Sequence, residues 1–139
     1  MYNRILLAAD GSDHSVRAAK EAVKLAALGR ECKITLALVA DFAKSKNEVL
    51  HFYGKEELDF ARRKRLRAVE VVLRTHRTAY DIKILHGDPG PTIVDFANNE
   101  KFNMIVIGSR GLNSLQEMVL GSVSHKVVKQ ANCPVLIVK

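Results

Sequence analysis

No run of apolar residues in this chain approaches the ~20 that a membrane-spanning helix needs, which argues against a transmembrane protein. The amino terminus also lacks the basic segment, apolar core and cleavage site of a signal peptide, so we expect a cytoplasmic protein. Only two cysteines are present, Cys32 and Cys133, and their wide separation favours two reduced, packed thiols over a metal site. The five histidines form no H-x-x-x-H pair, so we expect no metal held by the protein's own side chains.

Several motifs that would identify a catalytic or phosphate-binding fold are missing as well. There is no Gly-x-Gly-x-x-Gly fingerprint of a dinucleotide-binding fold and no Gly-Lys-Ser/Thr loop of a P-loop enzyme. The segment at residues 87–90 contains a proline, which has no N–H group with which to cradle phosphate. Residues 121–125 lack the second glycine of a nucleophile elbow, and no Ser/His/Asp arrangement is recognisable. A phosphate site in this chain would therefore have to be built differently.

The composition is that of one globular domain with an excess of positive charge. With 139 residues, 47% of them hydrophobic, the chain is long enough for a single core, and we take residues 1–139 as one domain. The formal net charge of +7 favours anionic partners such as nucleotides, nucleic acids or acidic proteins. Much of this charge lies at residues 62–67. We interpret that run as a solvated helix face rather than a nucleic-acid patch. No aromatic residues interleave with it, so a platform for stacking single-stranded nucleic acid is not indicated.

Strand-like and helix-like patterns alternate along the whole chain. Short apolar runs predict strands at residues 4–9, 33–40, 80–85, 103–107 and 135–138. Apolar residues at helical spacing predict helices over 12–28, 55–78, a short segment ending near Asn99, and 119–131, whereas 41–54 is interpreted as a loop or short helix. Five strands joined by four crossovers indicate an α/β fold with a parallel, doubly wound, Rossmann-like sheet and helices on both faces. Strand order 3-2-1-4-5 is our hypothesis, and spacing alone leaves 2-1-3-4-5 open.

The helix boundaries and buried faces can be predicted from particular residues. Ser12 or Asp13 can cap the first helix and Gly29 can end it, while Asp88 or Gly90 lies near the start of the third. The residues predicted to form the apolar stripe of the 55–78 helix are Leu58, Ala61, Leu66, Val69, Val72 and Leu73. The last helix is expected to bury Val119, Val123 and Val127.

The most informative segment is Gly108-Ser109-Arg110-Gly111, followed after nine residues by Gly121-Ser122. It comes directly after an apolar run at residues 104–107, and glycine at a strand end allows a tight turn and close approach to a ligand. A Gly-Ser pair at a helix start suits phosphate, because the first N–H groups of a helix have no partner within it. Arg110 would face the phosphates, and Ser122 and Ser124 could donate hydroxyl hydrogen bonds to them.

Asp10-Gly11, at the end of the first strand, is the other distinctive strand end. If the first and fourth strands are neighbours, Asp10 and Gly108 line one crevice at the carboxyl edge of the sheet. Each feature also has a purely structural explanation. Asp10-Gly11 is a common turn signal, Gly121-Ser122 is a common helix cap, and Arg110 is consistent with an ordinary surface arginine.

These residues resemble the universal stress proteins, and the resemblance also includes residues 4–12, 86–89 and 132–138. The Gly-x2-Gly-x9-Gly-Ser pattern is similar to that of the ATP-binding branch of the family. The resemblance implies bound ATP, commonly with magnesium or another divalent ion on the phosphates, and a homodimer. It implies that Ala9, Asp10 and Val39 contact adenine and ribose, that Ile107 and Gly108 continue that wall, and that the phosphates are held by Arg110, Gly111, Gly121, Ser122 and Val123.

A dimer is also expected on physical grounds. In the order 3-2-1-4-5 the strand at 135–138 is an edge, and it is apolar, without proline or charge. Such an edge can pair with another chain, and two-fold antiparallel pairing would make an isologous dimer. The alternative is an edge protected by its own crossover helix.

Three functional hypotheses follow from this sequence. The first is a nucleotide-dependent regulatory module in stress response, with a protein partner that the sequence does not identify. The second is a slow ATPase or phosphotransferase using Asp10, which we rank lower because no metal-holding set or second catalytic group accompanies it. The third is nucleic-acid binding through the basic helix at 55–78, and we rank it lowest.

Overall fold

The computed structural model describes residues 2–40, 55–110 and 121–139. Its strands are β1 (Arg4–Ala8), β2 (Lys33–Ala40), β3 (Tyr80–His86), β4 (Met104–Gly108) and β5 (Val135–Val138). Its helices are α1 (Asp13–Ala26), α2 (Lys55–Arg65), α3 (Arg67–Thr75), α4 (Pro89–Asn99) and α5 (Ser122–Gln130). All predicted strands are present, with ends displaced by at most one residue. The prediction for residues 41–54 lies outside the described residues.

The five strands form one parallel sheet in the order β3-β2-β1-β4-β5. This confirms the hypothesis of order 3-2-1-4-5 and excludes 2-1-3-4-5. The central strand β1 pairs with β2 and β4, so that Leu7 lies between Leu36 and Val106. The winding reverses between β1 and β4, and this is where ligands bind in doubly wound sheets.

Alternation along the strands divides the core into two layers. On one face, Ile5 and Leu7 of β1 pack with buried residues of α1 and α3. On the other face, Leu6 and Ala8 pack with buried residues of α4 and α5. Successive side chains of a strand point to opposite faces, so a strand that is apolar throughout is buried on both sides. The helices therefore cover both faces, as predicted.

The predicted helix at 55–78 is instead two helices, α2 and α3, which meet at Leu66. The predicted stripe holds in α3, where Leu66, Val69 and Leu73 are fully buried, but Ala61 is exposed and Arg62 is buried. Arg62 precedes Leu66 by four residues and therefore lies on the same helical face, whereas Ala61 does not. The buried position on this face therefore belongs to Arg62, which is 5% exposed, and not to Ala61.

The helix ends depend on local signals. Ser12 is the N-cap of α1, and its hydroxyl accepts a hydrogen bond from the Ser15 N–H at 3.3 Å. Of the two predicted caps, Ser12 and Asp13, the structure therefore selects Ser12. α1 ends at Ala26, three residues before Gly29, and Asp88 precedes the first residue of α4. The described part of the last helix begins at Ser122. Its predicted start at residue 119 lies outside the described residues.

The two cysteines are half-buried free thiols. Burial raises the pKa of both Cys32 and Cys133, so each has less thiolate at neutral pH than an exposed cysteine. In the described parts of the chain there is no group of three or more His, Cys, Asp or Glu side chains that could hold a metal ion. Among those same residues, no helix has the length and apolar character needed to cross a bilayer.

Candidate functional site

The ends of β1 and β4 are neighbours at the carboxyl edge of the sheet. Ala8, the last residue of β1, is in register with Ile107 and also with Ala37 of β2. Asp10 follows β1 by two residues, and Gly108 ends β4. Val39 lies two residues beyond Ala37 in β2, so it too is near this edge of the sheet. The sheet thus brings together the strand ends that the sequence singled out.

The turn after β1 is held by its own residues. One oxygen of the Asp10 carboxylate, Oδ1, accepts hydrogen bonds from the Ser12 N–H at 2.9 Å and the Ser15 hydroxyl at 2.8 Å. The Ser15 hydroxyl oxygen in turn accepts a hydrogen bond from the Asp10 N–H at 2.9 Å. These contacts orient the half-buried carboxylate at the start of α1. Asp10-Gly11 therefore forms the turn that leads from β1 into α1.

Gly11 makes a contact that the sequence did not predict. Its φ is +88°, a conformation that side chains with a Cβ rarely adopt. A Cβ at Gly11 would also lie 2.8 Å from the carbonyl oxygen of Arg65, at the end of α2. The basic end of α2 is consequently packed against the Asp10–Gly11 turn. No signal in the sequence connects these two segments, which are 54 residues apart.

The turn after β4 is held by other elements. A Cβ at Gly108 would lie 2.7 Å from the Cβ of His14, so glycine is needed for α1 to pack against the strand end. The Ser109 N–H donates to the Val138 carbonyl at 2.7 Å, and Ser109 Oγ lies 3.4 Å from Nδ1 of His14. His14 is therefore a residue of this edge that sequence reasoning missed, because only the fold brings it near Gly108.

The start of α5 is fastened to the end of β4. The Gly121 N–H donates to the Ser109 carbonyl at 2.8 Å, and Gly121 is the extended N-cap residue of α5. Ser122 is exposed and Val123 is half-buried. The first N–H groups of this helix have no acceptor within it, and the helix dipole makes this end favourable for an anion. A helix end of the kind that can bind an anion therefore lies beside the strand end that carries Ser109.

Ser124 does not have the role predicted for it. It is 2% exposed, and its hydroxyl donates to the Gly108 carbonyl at 2.6 Å. Its single hydroxyl hydrogen is used inside the protein and is not available to a phosphate oxygen. The expectation was wrong because the sequence could not show which side of α5 faces β4.

The remaining predicted residues lie on both faces of the sheet edge. Ala9 is 8% exposed and packs in the core beneath α1, whereas Val39 and Ile107 pack on the α4 and α5 side. Arg110 is half-buried, and its Cα would lie 3.5 Å from a Cβ at Gly121. Gly111 lies outside the described residues. Apart from Gly111, the predicted residues are gathered at one edge, with Ala9 directed to the opposite layer from Val39 and Ile107.

Comparison with known proteins adds to this description. The model of the universal stress protein family matches residues 1–139. The chain is 35% identical over 153 residues to the universal stress protein YxiE of Bacillus subtilis, covering 100% of both chains. It resembles the solved structure of MJ0577 from Methanocaldococcus jannaschii, with a TM-score of 0.84, 30% identity and coverage of 100% and 96%. A structure of the universal stress protein from Archaeoglobus fulgidus in complex with dAMP gives a TM-score of 0.74, 25% identity and coverage of 99% and 98%.

Proposed function

Given that this chain belongs to the universal stress protein family, we propose that it binds ATP and acts as a nucleotide-dependent regulatory homodimer in stress response. The nucleotide lies at the carboxyl edge of the sheet, between the ends of β1 and β4. Adenine and ribose contact Ala9, Asp10 and Val39, and Ile107 and Gly108 continue that wall. The phosphates are held by Arg110, Gly111, Gly121, Ser122 and Val123.

The observation that carries this proposal is the hydrogen bond from the Gly121 N–H to the Ser109 carbonyl, at 2.8 Å. This bond sets the start of α5 beside the end of β4, so its first N–H groups lie at the same edge as Asp10. A site of this kind combines an anion-binding helix end with a carboxylate that can accept hydrogen bonds from ribose. The dAMP complex of the Archaeoglobus fulgidus relative supports an adenine nucleotide as the ligand.

The site as proposed needs no set of protein side chains to hold the divalent ion. The donors proposed for the phosphates are backbone N–H groups, the Ser122 hydroxyl and the Arg110 guanidinium, which suit phosphate oxygens rather than a cation. The ion would be carried by the phosphates of ATP, which it would partly neutralise. Asp10 is an acidic side chain at this edge, and its Oδ1 already accepts two hydrogen bonds.

The proposed dimer uses β5. This strand pairs with β4, and in the described part of the chain no strand lies on its other side. All four of its residues are only half-buried although each is valine, leucine or isoleucine. Antiparallel pairing of two such edges would satisfy the exposed N–H and C=O groups and cover apolar surface.

Nucleotide binding is tested first by denaturing freshly purified protein and identifying any released nucleotide by chromatography. ATP is then titrated calorimetrically, with magnesium, into the wild type and into Ser122→Asp and Ser122→Asn. Aspartate at the first position of α5 stabilises the helix but repels phosphate. Asparagine has nearly the same shape as aspartate but carries no charge, so it is the matched control. We expect Asp to weaken ATP binding by about tenfold or more and Asn to weaken it by less than about threefold. Equal affinity in all three proteins would place the phosphates elsewhere.

The regulatory dimer is tested by sedimentation velocity and hydrogen exchange, with and without ATP. We expect a dimer whose amides at residues 135–138 are protected, and added protection near residues 108–110 and 121–124 when ATP is present. A monomer at every concentration would contradict the dimer but leave nucleotide binding intact. Exchange that ATP does not change would contradict the regulatory switch alone.

A further inference from the structure

A groove of about 1180 Å³ runs between the outer sides of α1 and α3. It extends along α1 from Arg17 to the turn before β2, and along α3 into the connection to β3. Its lining includes none of the described residues that we propose to hold the nucleotide. The groove is therefore a separate surface, open to solvent on the α1 and α3 face of the sheet.

The rim of this groove is strongly cationic. Lysine and arginine account for seven of the lining side chains and glutamate for two. Lys24 is paired with Glu21 at 3.0 Å and Lys33 with Asp81 at 3.3 Å, but Lys20 and Arg30 are exposed lysine and arginine side chains on the same rim. A concave surface of one charge sign attracts ligands of the other sign.

The inner part of the groove is apolar. Val23, Ala26 and Val72 contribute to its lining, Val71 is 56% exposed there, and Val138 lies where the groove meets the proposed dimer edge. An exposed valine beside half-buried apolar residues offers surface that a partner can cover. A ligand with charged groups but no apolar groups would contact the cationic rim and leave these apolar side chains exposed to water.

From these two properties we propose that the groove binds an acidic, amphipathic helical segment of a partner protein. A helix of about ten residues is about 10 Å across and about 15 Å long, and it docks in an open groove by one face. Its apolar face covers Val71 and its neighbours, and its glutamate or aspartate side chains meet the lysines and arginines of the rim. Nucleic acid fits less well, because the lining contains no Phe, Tyr or Trp side chain on which bases could stack.

The test uses a fluorescein-labelled peptide of about 18 residues, with leucine along one helical face and glutamate on the other. Its binding to the full-length protein is followed by fluorescence anisotropy. A second peptide carries serine in place of leucine, and a short DNA duplex of equal charge serves as the competing class of ligand. We expect the leucine peptide to bind at least about tenfold more tightly than the serine peptide and the duplex.

Two charge-reversal variants locate the binding. Lys20→Glu with Arg30→Glu changes the rim of the groove, and Arg63→Glu with Lys64→Glu makes the same change in net charge on the exposed end of α2, outside the groove. We expect the groove variant to lose about tenfold or more in affinity for the leucine peptide and the α2 variant less than about threefold. Circular dichroism and thermal unfolding check that both variants remain folded.

Several results would overturn the proposal. Equal losses in the two variants would mean attraction to net charge alone, and no binding of the leucine peptide to the wild type would exclude this class of ligand. Tighter, groove-dependent binding of the duplex would assign the groove to nucleic acid. If the groove variant, measured without peptide, sediments as a smaller species than the wild type, a second copy of this chain covers the groove. These outcomes are independent of ATP binding at the carboxyl edge.

Discussion

The turns after β1 and β4 are both built from small residues, but they are held in place in different ways. After β1, the Asp10 carboxylate is bound by Ser12 and Ser15, within five residues of it. After β4, the turn is held by contacts with His14, Val138 and the start of α5. The first turn is held mainly by hydrogen bonds among its own residues, with Arg65 as a distant contact, whereas the second is assembled from distant parts of the chain. Substitutions in the second should therefore disturb packing between elements, and those in the first should mainly disturb a turn and a helix start.

The largest effect is expected for Gly108→Ala. The added Cβ would lie 2.7 Å from the Cβ of His14 and 3.1 Å from its backbone carbonyl carbon, so α1 must move away from β4. We expect the free energy of unfolding to fall by about 3 kcal/mol, measured by urea denaturation. His14→Gly removes the His14 Cβ, the atom nearest to the added methyl group. The double variant should therefore lose clearly less free energy of unfolding than the sum of the losses in the two single variants. Strict additivity would show that this contact does not limit packing.

Gly11→Ala should come next, with a loss of about 2 kcal/mol. The new side chain would have to adopt a φ near +88° and would approach the Arg65 carbonyl oxygen to 2.8 Å. We expect the loss to be smaller than at Gly108, because Gly108 is a buried residue of β4 against which α1 packs, whereas the Arg65 carbonyl belongs to the last residue of α2. Urea denaturation of the two alanine variants under the same conditions measures this order. A larger loss of stability for Gly11→Ala than for Gly108→Ala would show that the first turn, not the second, depends more on packing against another element.

Ser124→Ala tests the link between α5 and the second turn. This substitution removes the hydroxyl that donates to the Gly108 carbonyl at 2.6 Å and leaves a buried acceptor without it. We expect a loss of about 1.5 kcal/mol in the free energy of unfolding. The matched control is Ser122→Ala, two residues earlier and exposed, which should change stability by less than about 0.5 kcal/mol. Similar values for the two variants would argue against a structural role for the Ser124 hydroxyl.

The smallest of these effects is expected in the first turn, for Ser12→Ala. The variant removes the N-cap of α1 and should cost about 1 kcal/mol by thermal or urea unfolding. Ser12→Thr retains a hydroxyl at the cap and should recover most of this loss. If the threonine variant were no better than alanine, the hydroxyl would not be what stabilises the helix start.

The contrast between the turns also explains which parts of the site could be predicted. Gly108 and Gly121 follow a sequence pattern, and the parallel sheet places their elements together at one edge. His14 and Arg65 carry no such signal, because their contacts with Gly108 and Gly11 depend on how α1 and α2 pack. Ser124 was predicted to bind the ligand because it lies close to Gly121 in sequence. Only the structure shows that its hydroxyl faces the Gly108 carbonyl instead.

The same reasoning applies to the helices. Ser12 caps α1 through its own hydroxyl, which is a local signal, whereas Asp88 occupies the N-cap position of α4 without a side-chain capping hydrogen bond. The division between α2 and α3 at Leu66 was not predicted, because a run of charged residues with few apolar positions gives little information about helix phase. Arg62 is buried although it belongs to the most basic run of the chain, which only packing against the rest of the protein could decide.

The sequence by itself determined the alternation of strands and helices, the burial of the sheet on both faces and the small-residue strand ends, because these depend on local periodicity and on the conformations open to glycine. Tertiary structure alone decided the order of the strands, the packing of His14 against Gly108, the use of the Ser124 hydroxyl and the groove between α1 and α3. Each of these depends on contacts between residues far apart in the chain, and such contacts arise from how whole elements fit together rather than from the preference of any short segment.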